Sequence, residues 1–359
     1  MFSAIRTIVL TSILTLATGS FNIAHSQESE GINDSDSIVE AVEVQEAVID
    51  HNDPIEAIFH HVTDANEIQV WGDLIFPLPV IVRKADGSWS TGISSQYKEG
   101  KDGLILSHGH IVDAETHTQD GLMDFSITKN IFMMIISVIV LSYLFFGLKN
   151  AYTKRGVTSA PKGFQSLIEP VFIFLRDDFI EPNLGNKADK FAPYIYSVFF
   201  FILINNLFGL IPFFPFGANL SGNIAFTMTL ALITLIVINI NGTKSYWSHI
   251  VAMPGVPKPL WLLLTPLELL GILTKPFALM IRLFANITAG HFILLSLTSL
   301  IFILGKNGAS IGGAFGGAAV AIPFVLFMNA LELLVAFLQA YIFALLSSIF
   351  IGLAVVEEH

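Results

Sequence analysis

Within a long apolar stretch stand a few side chains of types that move protons or fix a charge. Arg282 lies in the run Pro276-Phe-Ala-Leu-Met-Ile-Arg-Leu-Phe-Ala-Asn-Ile-Thr-Ala-Gly-His291, where it is the one charged residue. A charge at membrane depth costs at least about 2.5–3.5 kcal/mol, so it has a partner or lines a pathway. At about 100° per residue, Arg282, Asn286 and Ala289 share a helix face, flanked by Ala278, Ala285 and Gly290. Small residues around an arginine let another helix approach closely. Glu332 shares a face with Asn329, Ala336 and Gln339. His291 lies toward one end of the first long apolar stretch. If the two stretches pack antiparallel it can meet Glu332, and a histidine with a carboxylate forms a proton relay; the alternative to the relay is a static buried hydrogen bond. Glu268 and Lys275 stand one i,i+7 step apart and can line a second aqueous path. A snorkelling lysine and an interfacial glutamate account for them as well.

The pattern is two polar clefts, one open to each side, separated by an arginine. A carboxylate on a moving partner is protonated from one cleft and loses its proton to the other on passing Arg282, whose fixed charge favours the anion. The chain has no carboxylate of its own placed to play that part, so it cannot work alone.

The elements that must position these residues are membrane helices. The chain has 359 residues, 53% hydrophobic and 13% charged, whereas soluble domains carry about 25% charge. From Phe191 to Val356 only Lys244, Lys258, Glu268, Lys275, Arg282, Lys306 and Glu332 are charged. Spans are expected at Ile131–Leu148, Phe191–Pro212 and Asn223–Ile240. Phe164–Ile180 mixes Leu167, Ile168, Val171 and Phe172 with Glu169, Arg176, Asp177 and Asp178 and reads as an amphipathic surface helix. Residues 242–259 read as a loop. Two further apolar stretches, roughly 260–304 and 318–356, are too long for one upright span each. Lipid-exposed turns do not occur inside a bilayer, so each is expected to be one long tilted helix, the two joined by a glycine-rich loop at Gly305–Gly317. The fold class is an all-α polytopic membrane protein with about five embedded helices, one amphipathic surface helix and a small soluble module with some β.

The N-terminal third is different. Residues 27–128 hold 20 of the 29 acidic residues, which gives the chain its net charge of −11 and argues against a nucleic-acid partner. Arg6, the apolar run Ile8–Ala17 and Ala24-His25-Ser26 read as a secretory signal over 1–26. Residues 27–53 read as an acidic linker. Residues 54–128 form an extracytoplasmic module, with strands at Glu67–Trp71 and Leu78–Val82 and a turn at Asp86-Gly87. His60, His61, His108 and His110 match no ligand spacing and read as exposed polar side chains. The membrane domain runs over 129–359. Lys149, Lys154, Arg155 and Lys162 after the first span place 149–190, and the C-terminus, in the cytoplasm. Cysteine is absent, which excludes disulfides and thiolate-held metal centres. No nucleotide loop, nucleophile motif or metal-ligand set is present, so no cofactor or metal is expected and the chain is no enzyme on its own.

Lys275-Pro276, Ile281-Arg-Leu-Phe-Ala-Asn286 and Ala289-Gly290 closely resemble the signature of subunit a of F-type ATP synthases. So do Asn205-Asn-Leu-Phe-Gly-Leu-Ile-Pro212, Gly222-Asn-Ile-Ala225, and Glu332 followed seven residues later by Gln339. The resemblance covers about 163–356. It implies that Arg282 faces the essential c-ring carboxylate and blocks proton leak. Asn286 and Gln339 then match polar residues on the outer access path, Glu268 a glutamate on the cytoplasmic exit path, and His291 with Glu332 a pair that relatives carry in either order. Ala278 and Gly271 depart from the family pattern on the exit side. The implied partners are the c-ring, subunit b of the peripheral stalk and the rest of the synthase, in the inner membrane lipid, with H+ as the transported ion. The alternative reading is a secondary ion-coupled transporter, but such folds carry internal repeats and broken helices at the midplane, and neither is visible here.

Overall fold

The computed structural model describes residues 64–71, 74–107, 109–156, 160–211, 220–251, 256–306 and 309–355. The expected signal and acidic linker, and His60, His61 and His108, lie outside them.

The module begins with β1 (Glu67–Trp71) and β2 (Leu74–Pro77), an antiparallel pair. β3 (Pro79–Arg83) pairs with β4 (Trp89–Ile93) through the expected turn. Gly87 takes φ 84° there, and the Asp86 carboxylate accepts from the Ser88 hydroxyl and amide at 2.7 and 2.8 Å. Those bonds to the ionised form hold the Asp86 carboxyl below its usual range. β5 (Leu104–Ser107) pairs with β6 (His110–Asp113), and the short β7 (Met123–Asp124) adds to the free edge of β3. Alternation along β3 sends Val80 and Val82 into a core with Tyr97, Leu104 and Ile111.

The module passes into the membrane domain without a linker. Past β7, Phe125 and Ile127 still donate to the carbonyls of Ile81 and Pro79. Thr128 then caps α1 (Lys129–Arg155), accepting from the Ile131 amide. The Lys129 amide donates to Ala65 O at 2.8 Å and the Asn130 amide to Asp64 Oδ1 at 3.1 Å, so the first turn of α1 is bonded to the segment before β1.

α2 (Phe164–Leu175) runs through a wide π turn at Arg176–Ile180 into α3 (Glu181–Leu184) and then α4 (Ala188–Gly209). α5 (Ile224–Asn241), α6 (Lys244–Val251), α7 (Lys258–Leu304) and α8 (Ile311–Val355) complete the chain. Among the described residues five helical stretches are long and apolar enough to cross a bilayer: Lys129–Lys154, Phe164–Gly209, Ile224–Asn241, Leu263–Leu304 and Ile311–Val355. α7 and α8 are each continuous. At 1.5 Å per residue α7 is about 70 Å long, more than twice a hydrocarbon layer of about 30 Å, so both helices must lie at a steep tilt to stay within lipid.

Two sequence expectations are corrected. The segment 242–259 is not all loop but contains α6, which packs Trp247 and Ile250 against Leu235 and Ile272. The link between the long helices spans only Gly305–Ser310, and the glycines after it are helical. Two of them, Gly313 and Gly317, with Gly305 of the link, serve close approach. A Cβ on Gly317 would lie 3.1 Å from Ile301 Cα, one on Gly305 would lie 3.0 Å from Ala314 Cβ, and Gly313 abuts the Leu304 carbonyl. Small residues there let the two backbones nearly touch. Further along, Gly290 meets Glu332 and Lys275 meets Phe350, so the helices stay antiparallel neighbours over most of their length.

The other end of α8 is anchored as well. The Thr243 amide and hydroxyl both donate to Ala354 O, at 2.9 and 3.2 Å. The Ser348 hydroxyl donates to Phe179 O at 3.1 Å, and the Tyr341 hydroxyl bonds Asp178. The π turn is thus seated on α8, with Phe179 and Ile180 buried beneath it.

Candidate functional site

A cavity of about 160 Å³ opens between the end of α4, the turn before α5, and the middle of α7 and α8. Its polar lining is Asn205, Asn206, Ser221, Asn286, His291 and Glu332.

Each wall has a local cause. The Asn206 side chain donates to Ala336 O on α8 at 3.1 Å and accepts from the Ser221 hydroxyl at 2.5 Å. Asn205 donates to Phe201 O and accepts from the Ser137 hydroxyl of α1 at 2.5 Å. One adjacent pair of amides therefore ties α4 to α1, to α8 and to the turn before α5. Neighbouring residues on a helix point about 100° apart, which is why one asparagine reaches each side. The sequence reading gave these residues no role in the site. Two amides side by side in an apolar helix were the available signal, since a buried amide needs partners. Replacing Asn206 with leucine is expected to strand the Ser221 hydroxyl and to remove the tie between α4 and α8, at a cost of about 1–3 kcal/mol. The check is a lower thermal unfolding midpoint for the purified full chain in detergent.

Glu332 is 8% exposed, and among the described residues neither carboxylate oxygen accepts a hydrogen bond. It packs against Gly290, where an added Cβ would lie 2.5 Å from Oε1. His291 faces the same cavity. The two residues line one cavity, and among the described residues no direct hydrogen bond reaches the Glu332 carboxylate. Water-sized space beside an unsatisfied carboxylate suits a hydrated proton path.

Arg282 and Asn286 lie one turn apart on the exposed side of α7, with Ala278, Ala285 and Ala289 around them. Asn286 belongs both to this surface stripe and to the cavity wall, so the cavity reaches the stripe one turn from Arg282. The exposed side of α7 is otherwise mostly apolar, with Leu270, Phe277 and Ile281 on it beside Thr274.

Other expected neighbours separate. Gln339 is buried two turns beyond Glu332 and does not line the cavity, and Asn329 turns outward to donate to its own helix at Val325 O. On the far half of α7, Lys275 Nζ sits 5.4 Å from the centroid of the Phe350 ring, a cation–π contact that favours the structural account of this lysine. Glu268 is half-buried near Tyr246 of α6. Burial first, and the Glu268 charge second, push the Tyr246 hydroxyl up to about 12. No group of three or more metal-ligating side chains forms among the described residues.

A family model described as ATP synthase A chain matches residues 131–352, and a second, described as a domain of unknown function (DUF8433), matches residues 57–130. The chain is similar to the ATP synthase subunit a 2 of Chlorobaculum tepidum, with 41% identity covering 71% of this chain and 74% of that protein. It is also 41% identical to ATP synthase subunit a of Chloroherpeton thalassium, covering 66% and 69%. With its counterpart from an Anaeromyxobacter species it shares 36% identity over 86% of this chain and 72% of the relative.

Proposed function

The chain belongs to the ATP synthase A chain family, and from that premise we propose that it is the stationary proton-conducting subunit of an F-type ATP synthase, loading and unloading a carboxylate on a rotating c-ring. The observation that carries this reading is the cavity that joins Glu332 and His291 to Asn286, one turn from Arg282 on an exposed stripe. Glu332 and His291 take up protons from water in the cavity, and Asn286 passes them to the carboxylate facing the stripe. Arg282 holds the next carboxylate as its anion and so prevents a proton from crossing directly to the second path. Glu268 lines that second path toward the opposite side. Alanines around Arg282 let rotor helices pass close to it. Gln339, buried below Glu332, steadies the α8 face behind the gate.

The c-ring covers the α7 stripe, and subunit b of the peripheral stalk holds the chain still. The basic cluster after α1 puts that end of α1 in the cytoplasm of a cell whose inner membrane the chain crosses. The 54–128 module then lies outside, behind a cleaved signal at 1–26 and an acidic linker at 27–53. The 129–359 segment is the membrane domain.

The sequence contains no cysteine, so single cysteines test this directly. Ile287→Cys and Leu331→Cys, both on the cavity wall, are expected to react with a membrane-impermeant thiol reagent from the extracytoplasmic face only. Leu334→Cys, which is exposed on α8 away from the cavity, is expected to stay unreactive. Reaction of the two cavity positions from the cytoplasmic face would reverse the assignment of the inlet, and no reaction from either face would remove it.

A further inference from the structure

The β module carries an outer sheet face that is more apolar than water tolerates. Along β3 and β4 the outward positions are Ile81, Arg83, Trp89, Thr91 and Ile93, and β7 adds Met123 with Phe125 just beyond it. Trp89 and Phe125 are each 58% exposed and Met123 is 56% exposed. The Trp89 and Phe125 rings sit 5.8 Å apart, with the Arg83 guanidinium 5.9 Å over the indole. A contiguous patch of large apolar side chains on a module of this size marks an interaction surface.

Continuity with the lipid-facing surface of α1 identifies the occupant. The strand that carries Met123 and Phe125 runs on through Ile127, bonded to Pro79, and becomes helix at Lys129. Exposed apolar side chains stand on both sides of the junction, Phe125 before it and Ile131 in the first turn of α1, and the β1-β2 sheet adds an aromatic contact to that turn, the Phe76 and Phe132 rings lying 6.1 Å apart. Bonds from the Lys129 amide to the Ala65 carbonyl and from the Asn130 amide to the Asp64 carboxylate deny the module a hinge at that point. A rigid module joined to the end of a membrane helix stays at headgroup depth, where aromatic side chains concentrate. Arg83 over Trp89 fits the same place, with the charge toward phosphate and the ring toward acyl chains.

We infer that the β4-β3-β7 face docks on the bilayer, with Trp89, Met123 and Phe125 inserted among the headgroups of the leaflet into which α1 enters. The module is then a membrane-resting foot that fixes the depth of α1, and through Ser137 and Asn205 the wall of the cavity. The inference does not depend on which side of the membrane the module occupies.

Spin labels on single cysteines in the full chain, reconstituted into vesicles of phosphatidylethanolamine and phosphatidylglycerol, test it. Labels at Trp89→Cys, Met123→Cys and Phe125→Cys are expected to collide with oxygen more than with a water-soluble nickel chelate, in the direction of a lipid reference at Ile139→Cys. Labels at the exposed controls Glu99→Cys and Glu115→Cys are expected to show the opposite ratio. If the three face positions match the controls, the face is in water and the inference fails. If they are shielded from both reagents, protein covers the face, and the inference fails equally. All these positions are on the surface, so the variants retain the fold.

Discussion

Arg282→Ala is expected to leave an assembled synthase that neither pumps protons with ATP nor makes ATP from a proton gradient. The side chain lies near the midpoint of α7, on the exposed stripe, and among the described residues no carboxylate of this chain is within ion-pair distance. Its loss therefore breaks no ion pair among the described residues, and assembly is expected to be retained. What is lost is the fixed charge offered to a partner. A unit charge at 4 Å in an effective dielectric of about 20 is worth about 4 kcal/mol, close to a thousandfold in rate if the gating step depends on it. Arg282→Lys retains charge without the planar fork and is expected to fall between. Inverted membrane vesicles give all three readouts: assembly on a native gel, ATP-driven acidification and gradient-driven synthesis. An assembled Arg282→Ala complex that still pumps normally would make the arginine structural and end the gate reading.

The parts of this fold that the sequence shows best are those where lipid simplifies the physics. A bilayer demands internally bonded backbone and apolar side chains, so five stretches stood out, and forbidding a turn in lipid was enough to predict that α7 and α8 each run unbroken. The Gly305–Gly317 segment misled because glycine has two opposite uses. It disfavours a helix in water, yet in a membrane it permits the contact of Gly317 with Ile301 that tightens the hairpin. The start of α8 at Ile311 also moves Glu332 to the middle of its helix, level with Gly290. At the site, helical periodicity assigned Arg282 and Asn286 to one face, and they do lie on one face. On α8 it held for Glu332, Ala336 and Gln339, all buried, and failed only for Asn329, which packing left on the outside. The part played by Asn205 and Asn206 could not be read from one helix, because their partners are Ser137, Ser221 and Ala336, brought together only by the tertiary fold.

The second large effect belongs to a residue with no side chain. Gly290→Val is expected to stop proton conduction while Arg282, Asn286 and His291 are all still present. A Cβ at position 290 would lie 2.5 Å from Oε1 of Glu332, 3.2 Å from its Cγ and 3.3 Å from its Cδ. Alanine can be accommodated by swinging the carboxylate tip aside, so Gly290→Ala is expected to lower conduction partially and leave assembly intact. Valine adds two methyl groups with restricted rotation, and the clash then involves the Glu332 stem. Either the carboxylate leaves the cavity or α7 and α8 separate, at an overpacking cost of about 1–3 kcal/mol. Both outcomes disconnect Glu332 from Asn286. Pairing Gly290→Ala with Glu332→Asp separates crowding from chemistry: the shorter acid withdraws from the added methyl while keeping a carboxylate in the cavity. Passive proton flow through vesicles stripped of the soluble sector should therefore be higher in the double variant than in Gly290→Ala alone. Unchanged conduction in Gly290→Val, with the protein assembled, would mean that the position of Glu332 against α7 has no part in moving protons.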